Sequence, residues 1–320
     1  MPGYLENIRR QHGSDRCIEA FEQACRQGRG AGIVNDRDIS FPTIYILYSS
    51  ILPRQRFLSL NQRNRLLLRM ISGLKNDETG NGKIDILRSP QPMTKSILFW
   101  ALKTGCRYQG SDNYDLIMDT IACVLLGTYR EKNALPYVEQ LIFDRNRWGK
   151  NNHDLIWAYF SLHDPAVLKS MSEHLLSEDE SEKTLAGELL DTEHICKGCR
   201  DARSGYREYQ KWLSENDSYL YATVENLQYS RKPQMFHVDE DRKFLQKKAQ
   251  GYSKQPLENL TEKEKGILRE FRSLPPAERE AVSCFSQSVM QTDPEDWERW
   301  AYSPLEEKLE KAKKGMEELV

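Results

Sequence analysis

The sequence predicts an all-α fold, and three observations lead to that prediction. Segments with helical periodicity follow one another between residues 113 and 191, joined by short polar turns. Residues that form helix capping boxes recur near the C-terminus. The composition, with 39% hydrophobic, 10% aromatic and 29% charged residues, is that of a folded globular chain. We therefore expect antiparallel helix hairpins with a C-terminal helical extension.

The N-terminal third is predicted to be helical over residues 6–27, 41–52 and 60–74. Residues 75–92 read as a loop because Gly, Asn and Asp concentrate there. Within that loop, residues 84–87 predict a short strand.

The middle of the chain is predicted to consist of stacked helix hairpins. Residues 113–129 are apolar nearly all round, as in a central buried helix. Further helices are expected over 133–143, 152–162 and 182–190, and Asp164-Pro165 opens another between the last two.

This region resembles HEAT-like helical repeats over about residues 113–191, and Asp164–Val167 followed by Leu175-Leu176 is the nearest local match. The resemblance implies an α-solenoid, that is, a superhelical array of hairpins. The spacing between successive helices is irregular, so an irregular helical bundle remains the alternative.

The C-terminal region predicts three helix boundaries. Thr261 and Glu264 have capping-box spacing, Pro275-Pro276 ends one helix and Ala277 starts the next, and Ser303–Glu306 starts the last. Residues 200–227 are rich in Tyr and Trp and predict a helix. We expect a helical-repeat domain at 1–227, a polar linker or irregular segment at 228–259, and a C-terminal helical segment at 260–320.

The sequence predicts a cytoplasmic protein without a membrane segment. The first residues lack the basic and apolar regions of a secretory leader. The most apolar stretches, 44–52 and 117–126, are about half the length of a membrane span. Seven cysteines, an odd number spread thinly, suit reduced thiols better than a disulfide framework.

Charge is unevenly distributed along the chain. Residues 1–150 carry a formal charge of +7 and residues 151–320 a charge of −9. Two basic segments in the first half form a candidate polyanion-binding surface, and Trp148 adds a ring that can stack on a base. The alternative is an ordinary solvated helix face. The candidate residues are Arg54, Arg56, Arg63, Arg65, Arg69, Arg145, Arg147, Trp148 and Lys150.

His194, Cys196 and Cys199 form a candidate metal site. Their spacing matches half of a zinc site or a thiol redox pair. A tetrahedral zinc site needs one further, remote ligand, and the alternative is two thiols in a helix-terminal turn.

Other motifs predict little chemistry. Residues 77–88 resemble a calcium loop, but Arg88 stands where a bidentate carboxylate is required, so we expect a turn. The glycines at 28–32 lack the context of a phosphate loop and predict a connection. Asp115 and Asp119 share a helix face as paired acids can, but no catalytic motif accompanies them.

These observations favour a non-catalytic interaction or scaffold protein that needs no cofactor. Its partner is then another protein or a second copy of the chain. The first alternative is a protein that binds nucleic acid or a phosphate ligand through the basic N-terminal half. The second alternative is a metal-dependent enzyme, or a zinc-stabilised protein, that uses the cluster of His194 and the two cysteines.

Overall fold

The computed structural model describes residues 3–75, 91–196, 198–199, 201–223, 235–249 and 251–317. It is 72% helix and 2% strand, which confirms the all-α prediction. Within these ranges, no helix combines the length and the apolar character that a membrane crossing requires. The calcium-like loop at 77–88 and the predicted strand at 84–87 lie outside the described residues.

The chain divides into two compact units, unit 1 at residues 1–162 and unit 2 at residues 163–320. This division differs from the predicted one, which placed the boundary at 228–259.

Unit 1 is built from eight helices in its described part. They are α1 Tyr4–Arg26, α2 Gly30–Val34, α3 Phe41–Ile51, α4 Gln62–Lys75, α5 Pro92–Gly105, α6 Asp112–Cys123, α7 Leu135–Arg147 and α8 His153–Phe160. A 3-10 turn at Leu52–Arg54 follows α3, and another at Lys132–Ala134 precedes α7. A π-helical turn at Val124–Thr128 extends α6.

The core of unit 1 centres on α6, as the sequence predicts. Ile117, Met118 and Ile121 are fully buried, and α6 packs on α5 and α8. Leu116 departs from the prediction of an apolar helix buried all round, because its side chain is exposed.

A buried carboxylate joins α1 to α3. Glu6 accepts hydrogen bonds from Arg9 at 2.6 Å, Arg10 at 2.7 Å, Ser40 at 2.5 Å and Thr43 at 2.6 Å. Burial alone would raise the pKa of Glu6, but these four hydrogen bonds outweigh it and lower the pKa to about 2. The carboxylate is therefore a charged anchor between the two helices.

Unit 2 contains nine helices and a short pair of strands in its described part. The helices are α9 Ala166–Glu173, α10 Glu180–Leu189, α11 Thr192–Ile195, α12 Ala202–Asn216, α13 Glu240–Phe244, α14 Glu262–Arg272, α15 Pro276–Thr292, α16 Pro294–Ala301 and α17 Leu305–Glu317. The strands β1 Leu220–Ala222 and β2 Phe236–Val238 pair antiparallel, with Tyr221 opposite His237. Turns of 3-10 helix lie at His174–Leu176 and Asp217–Tyr219.

The segment predicted as a polar linker contributes to the core of unit 2. Phe244 stacks on Phe271 with ring centroids 4.4 Å apart and meets Trp300 edge-on at 6.2 Å. Leu245 is buried in the same cluster. The surrounding Lys, Gln and Asp residues make the average polarity of this segment high, so its composition does not indicate the two buried residues.

Two of the predicted helix boundaries in unit 2 are confirmed. Thr261 and Glu264 form a reciprocal capping box, with the Glu264 amide donating to the Thr261 hydroxyl at 3.2 Å. Helix α15 begins at Pro276, within the predicted break and one residue before the predicted restart at Ala277. At the last helix, the Ser303 hydroxyl donates to the Trp300 carbonyl at 2.9 Å instead of capping α17.

Candidate functional site

The loop that joins α3 to α4, residues 52–61, is held in place by asparagine side chains, and we call it the arginine loop. Asn35 Nδ2 donates to the Ser59 carbonyl at 2.7 Å, and the Asn61 amide donates to Asn35 Oδ1 at 2.8 Å. Fully buried Asn64 on α4 donates to the Val34 carbonyl at 2.7 Å. These bonds tie the loop to the end of α2.

Gly30, in the glycine-rich segment at 28–32, packs closely against its neighbours in unit 1. A Cβ on Gly30 would lie 2.5 Å from Cys25 Sγ and 3.3 Å from Leu58 Cδ2. Any larger residue would therefore push α2 away from α1 and from the arginine loop. This close approach explains the glycine at position 30 without a phosphate ligand.

Two grooves lie on either side of Leu58. The first, of about 370 Å³, is lined by Arg65 and Arg69 of α4 and by residues 55 and 58–60. The second, of about 580 Å³, is lined by Arg26, Arg54 and Phe57 together with the glycine-rich segment. The arginine loop forms the ridge between them.

Four residues on and beside this ridge have side chains available to a ligand, and we call them the arginine face. They are Arg56, Phe57, Arg65 and Arg69. Within the described part of the chain, the three guanidinium groups make no hydrogen bond or ion pair, and Phe57 is 87% exposed. Residues 39–76 of the sequence contain six basic residues and no acidic one. Nothing in this segment therefore neutralises the face.

Two other predicted residues of this segment are engaged in the fold. Arg63 donates to the Asp36 carbonyl at 2.9 Å and covers the Trp100 ring at 4.4 Å. Burial lowers the pKa of Arg63. Arg54 donates to the Ser50 carbonyl at 2.8 Å and lies 3.9 Å from Glu22. The guanidinium group of Arg63 is therefore engaged within the fold, whereas that of Arg54 is only partly engaged and leaves some surface open to a ligand.

Arg145 does not belong to an anion-binding surface, because its side chain is only 2% exposed. It pairs with Asp119 at 2.7 Å and donates to the carbonyls of Asn151 at 3.1 Å and Asp115 at 3.0 Å. Burial raises the pKa of Asp119 to about 6, although Arg145 acts to lower it. The paired acids noted on α6 are thus the counter-charges of a buried guanidinium.

The neighbours of Arg145 in the predicted surface are also occupied. Lys150 Nζ binds Asp115 at 2.7 Å and the Gly110 carbonyl at 3.0 Å. Arg147 pairs with Asp144 at 3.1 Å, and Trp148 is half-buried. The segment 145–150 therefore joins helices of unit 1, and only Arg147 presents much charged surface.

The predicted metal ligands do not assemble. No group of three or more His, Cys, Asp or Glu side chains suited to a metal ion occurs among the described residues. Cys196 Sγ lies 3.3 Å from the Gly205 carbonyl, as a thiol donor would. Burial, followed by the proximity of Cys199, raises the pKa of Cys196 to about 11.

No family model matches the sequence, and neither a curated protein nor a solved structure matches it. The chemistry of the arginine face therefore carries the functional argument. Guanidinium groups bind phosphate oxygens in a bidentate manner, and an exposed aromatic ring offers a surface for stacking. Sequence reasoning identified the arginines but missed Phe57, whose position between Arg56 and Leu58 was the available clue.

Proposed function

We propose that the protein binds single-stranded nucleic acid on the arginine face. The exposed ring of Phe57 beside three guanidinium groups without partners among the described residues carries this proposal. Leaving a large aromatic ring in water gains nothing for folding, whereas a base stacked on it removes apolar surface from both.

Charge and stacking have separate roles in this proposal. Arg65 and Arg69 lie one helical turn apart on α4 and line the same groove, so they are placed to contact neighbouring phosphates of one strand. Phe57 at the adjacent ridge supplies the stacking platform. Phosphate contacts give affinity that depends on salt, and stacking gives affinity that depends little on sequence.

A single strand fits this arrangement better than a duplex. The bases of a duplex are already stacked on one another, so an exposed ring reaches their faces only after unstacking them. The bases of a single strand are free to stack on Phe57 while the backbone follows the groove of Arg65 and Arg69.

The direct test is fluorescence anisotropy with a labelled single-stranded oligonucleotide and its duplex at two salt concentrations. We expect the single strand to bind more tightly than the duplex. For about three phosphate contacts, affinity should fall roughly tenfold to twentyfold between 50 and 200 mM salt. Equal binding of both forms, or no binding at low salt, would contradict the proposal.

Charge reversal by Arg65→Glu with Arg69→Glu should abolish measurable binding. Phe57→Ala should weaken binding by roughly 1–3 kcal/mol while leaving the salt dependence unchanged. The matched control is Arg203→Glu with Arg207→Glu, an exposed pair at the same spacing on α12 of unit 2. It makes the same change in net charge, so an equal loss in the control would show that binding is non-specific.

We also infer that helices α3 to α8 form a HEAT-like array. In support, among the helices that the structure describes, α3 packs on α5, α4 on α6, α5 on α7 and α6 on α8, as in stacked hairpins. An experimental structure tests this inference: a repeated rotation should relate the successive hairpins, whereas an irregular bundle has none. The scaffold role and its protein partner remain predictions.

A further inference from the structure

A buried lysine and a cysteine lie side by side in unit 2. Lys243 on α13 is only 3% exposed, and its Nζ lies 3.2 Å from Cys284 Sγ on α15. The same Nζ donates to Asn216 Oδ1 at 2.8 Å. Asn216 is itself buried and is fixed by donating from Nδ2 to the Trp212 carbonyl at 2.7 Å.

The ammonium of Lys243 has no carboxylate within ion-pair distance in the described part of the chain. Among the described residues, no Asp or Glu oxygen forms an ion pair with it, and nearby Glu240 is paired with Arg279 at 3.3 Å. A buried charge is costly unless an opposite charge compensates it. Of the two groups in contact with Nζ, Asn216 is a neutral amide and Cys284 is a thiol. The Glu240 carboxylate acts on Lys243 only through a longer-range electrostatic interaction.

Cys284 and Lys243 both line a cavity of about 290 Å³ within unit 2. Its walls include the apolar side chains of Trp212, Phe236 and Val238. The volume is near the lower end for small-molecule sites. Cys284 is partly exposed, which places its sulfur within reach of a molecule in the cavity.

We propose that Cys284 is a nucleophile that captures a small α,β-unsaturated carbonyl compound in this cavity, with Lys243 as the stabilising cation. A thiolate next to a lysine in a partly exposed site is the usual setting of a reactive cysteine. The apolar side chains in the wall accommodate the carbon skeleton of the ligand, beside the carboxylates of Glu215, Glu240 and Glu280 that also line the cavity. An ammonium has three donors, of which two are in use, so one N–H is left for the carbonyl oxygen.

The addition balances without an oxidant or a further reactant. The thiolate sulfur forms a bond to the β-carbon, the carbon–carbon π bond breaks, and its electron pair moves onto the carbonyl oxygen as an enolate. Lys243 hydrogen-bonds that oxygen while the charge develops. The α-carbon then takes a proton from water, which balances the proton that the thiol releases to water as its sulfur adds, and the product is a thioether.

The test uses N-ethylmaleimide, itself an α,β-unsaturated carbonyl compound, at a substoichiometric amount and near-neutral pH. Peptide mass spectrometry follows each cysteine of the full-length protein. We expect Cys284 to be modified ahead of Cys17, Cys123 and Cys196, because burial raises the pKa of these thiols to about 11, 12 and 11. Modification of any of these three before Cys284 would overturn the proposal.

Lys243→Met tests the role of the cation. Loss of the cation removes the charge that stabilises the attacking sulfur and the developing enolate, so the modification of Cys284 should slow by roughly tenfold. The matched control is Lys308→Met, since Lys308 is another buried lysine of unit 2 and donates to the Ala301 carbonyl at 3.0 Å, away from any sulfur contact. This control should leave the rate at Cys284 unchanged, and equal rates in wild type and Lys243→Met would refute the assignment.

A second measurement covers the case in which Lys243→Met fails to fold. The rate at Cys284 in the folded wild-type chain is compared with its rate in the same chain unfolded in urea. The proposal requires the folded chain to react faster, despite the lower exposure of the sulfur. A slower folded chain would overturn it.

Discussion

The side chain of Arg145 in unit 1 is 2% exposed and contacts Asp119 at 2.7 Å, whereas Arg65 and Arg69 are exposed and have no partner in the described part of the chain. The difference comes from the side chains that surround Arg145 on the one hand and Arg65 and Arg69 on the other. Helix α6 presents Asp115 and Asp119 to Arg145, but residues 39–76 contain no acid at all. Arginine stabilises a fold where carboxylates meet it, and it is available to a ligand where they do not.

Replacing one arginine from each cluster should have the largest effect. We expect Arg145→Met to lower the free energy of unfolding by about 3–5 kcal/mol, because it leaves Asp119 buried without its cation. Arg65→Met should change it by no more than about 0.5 kcal/mol. Urea unfolding followed by circular dichroism measures both. Similar losses of unfolding free energy in the two variants would contradict the proposed difference between the two groups of arginines.

The pH dependence of stability should show the cost of burying Asp119. Its pKa is raised from 3.8 to about 6 in the folded state, so the folded chain holds a proton that the unfolded chain releases between these values. The contribution of Asp119 to the free energy of unfolding is therefore complete below about pH 4. It falls by roughly 3 kcal/mol in total as the pH rises through 6.

The difference between wild type and Asp119→Asn isolates this contribution. Glu6, whose pKa is lowered to about 2, loses its stabilising effect as pH falls below 4.5 and so acts in the opposite direction. It is present in both proteins and cancels in the difference. If the difference in unfolding free energy stays constant from pH 4 to pH 7, Asp119 titrates normally and Arg145 compensates its burial fully.

Local patterns predicted the helices well because helix formation depends on near neighbours in the sequence. The capping box at Thr261 and the break at Pro275 follow from such local rules. The anchor at Phe244 could not be predicted in this way. Its burial depends on Phe271 and Trp300, which lie far along the chain and whose approach only the tertiary fold determines.

The candidate site shows the same limit. Counting basic residues put Arg65 and Arg145 in one class, because both lie in basic segments of the first half of the chain. Which arginine meets a carboxylate depends on the packing of α6 against the segment that carries it. Lys243 and Cys284 are 41 residues apart in the sequence, and no sequence motif connects them.

The smallest expected effect concerns single cations in the binding assay. Arg69→Ala should reduce the slope of log affinity against log salt by about 0.7, the value for one phosphate contact on a single strand. Lys150→Ala should leave that slope unchanged, because its ammonium is already bound to Asp115 and to the Gly110 carbonyl. Anisotropy titrations of the same oligonucleotide at several salt concentrations measure both slopes. A reduced slope for Lys150→Ala would mean that the ion pair opens to meet the ligand, and the segment 145–150 would then join the binding surface after all.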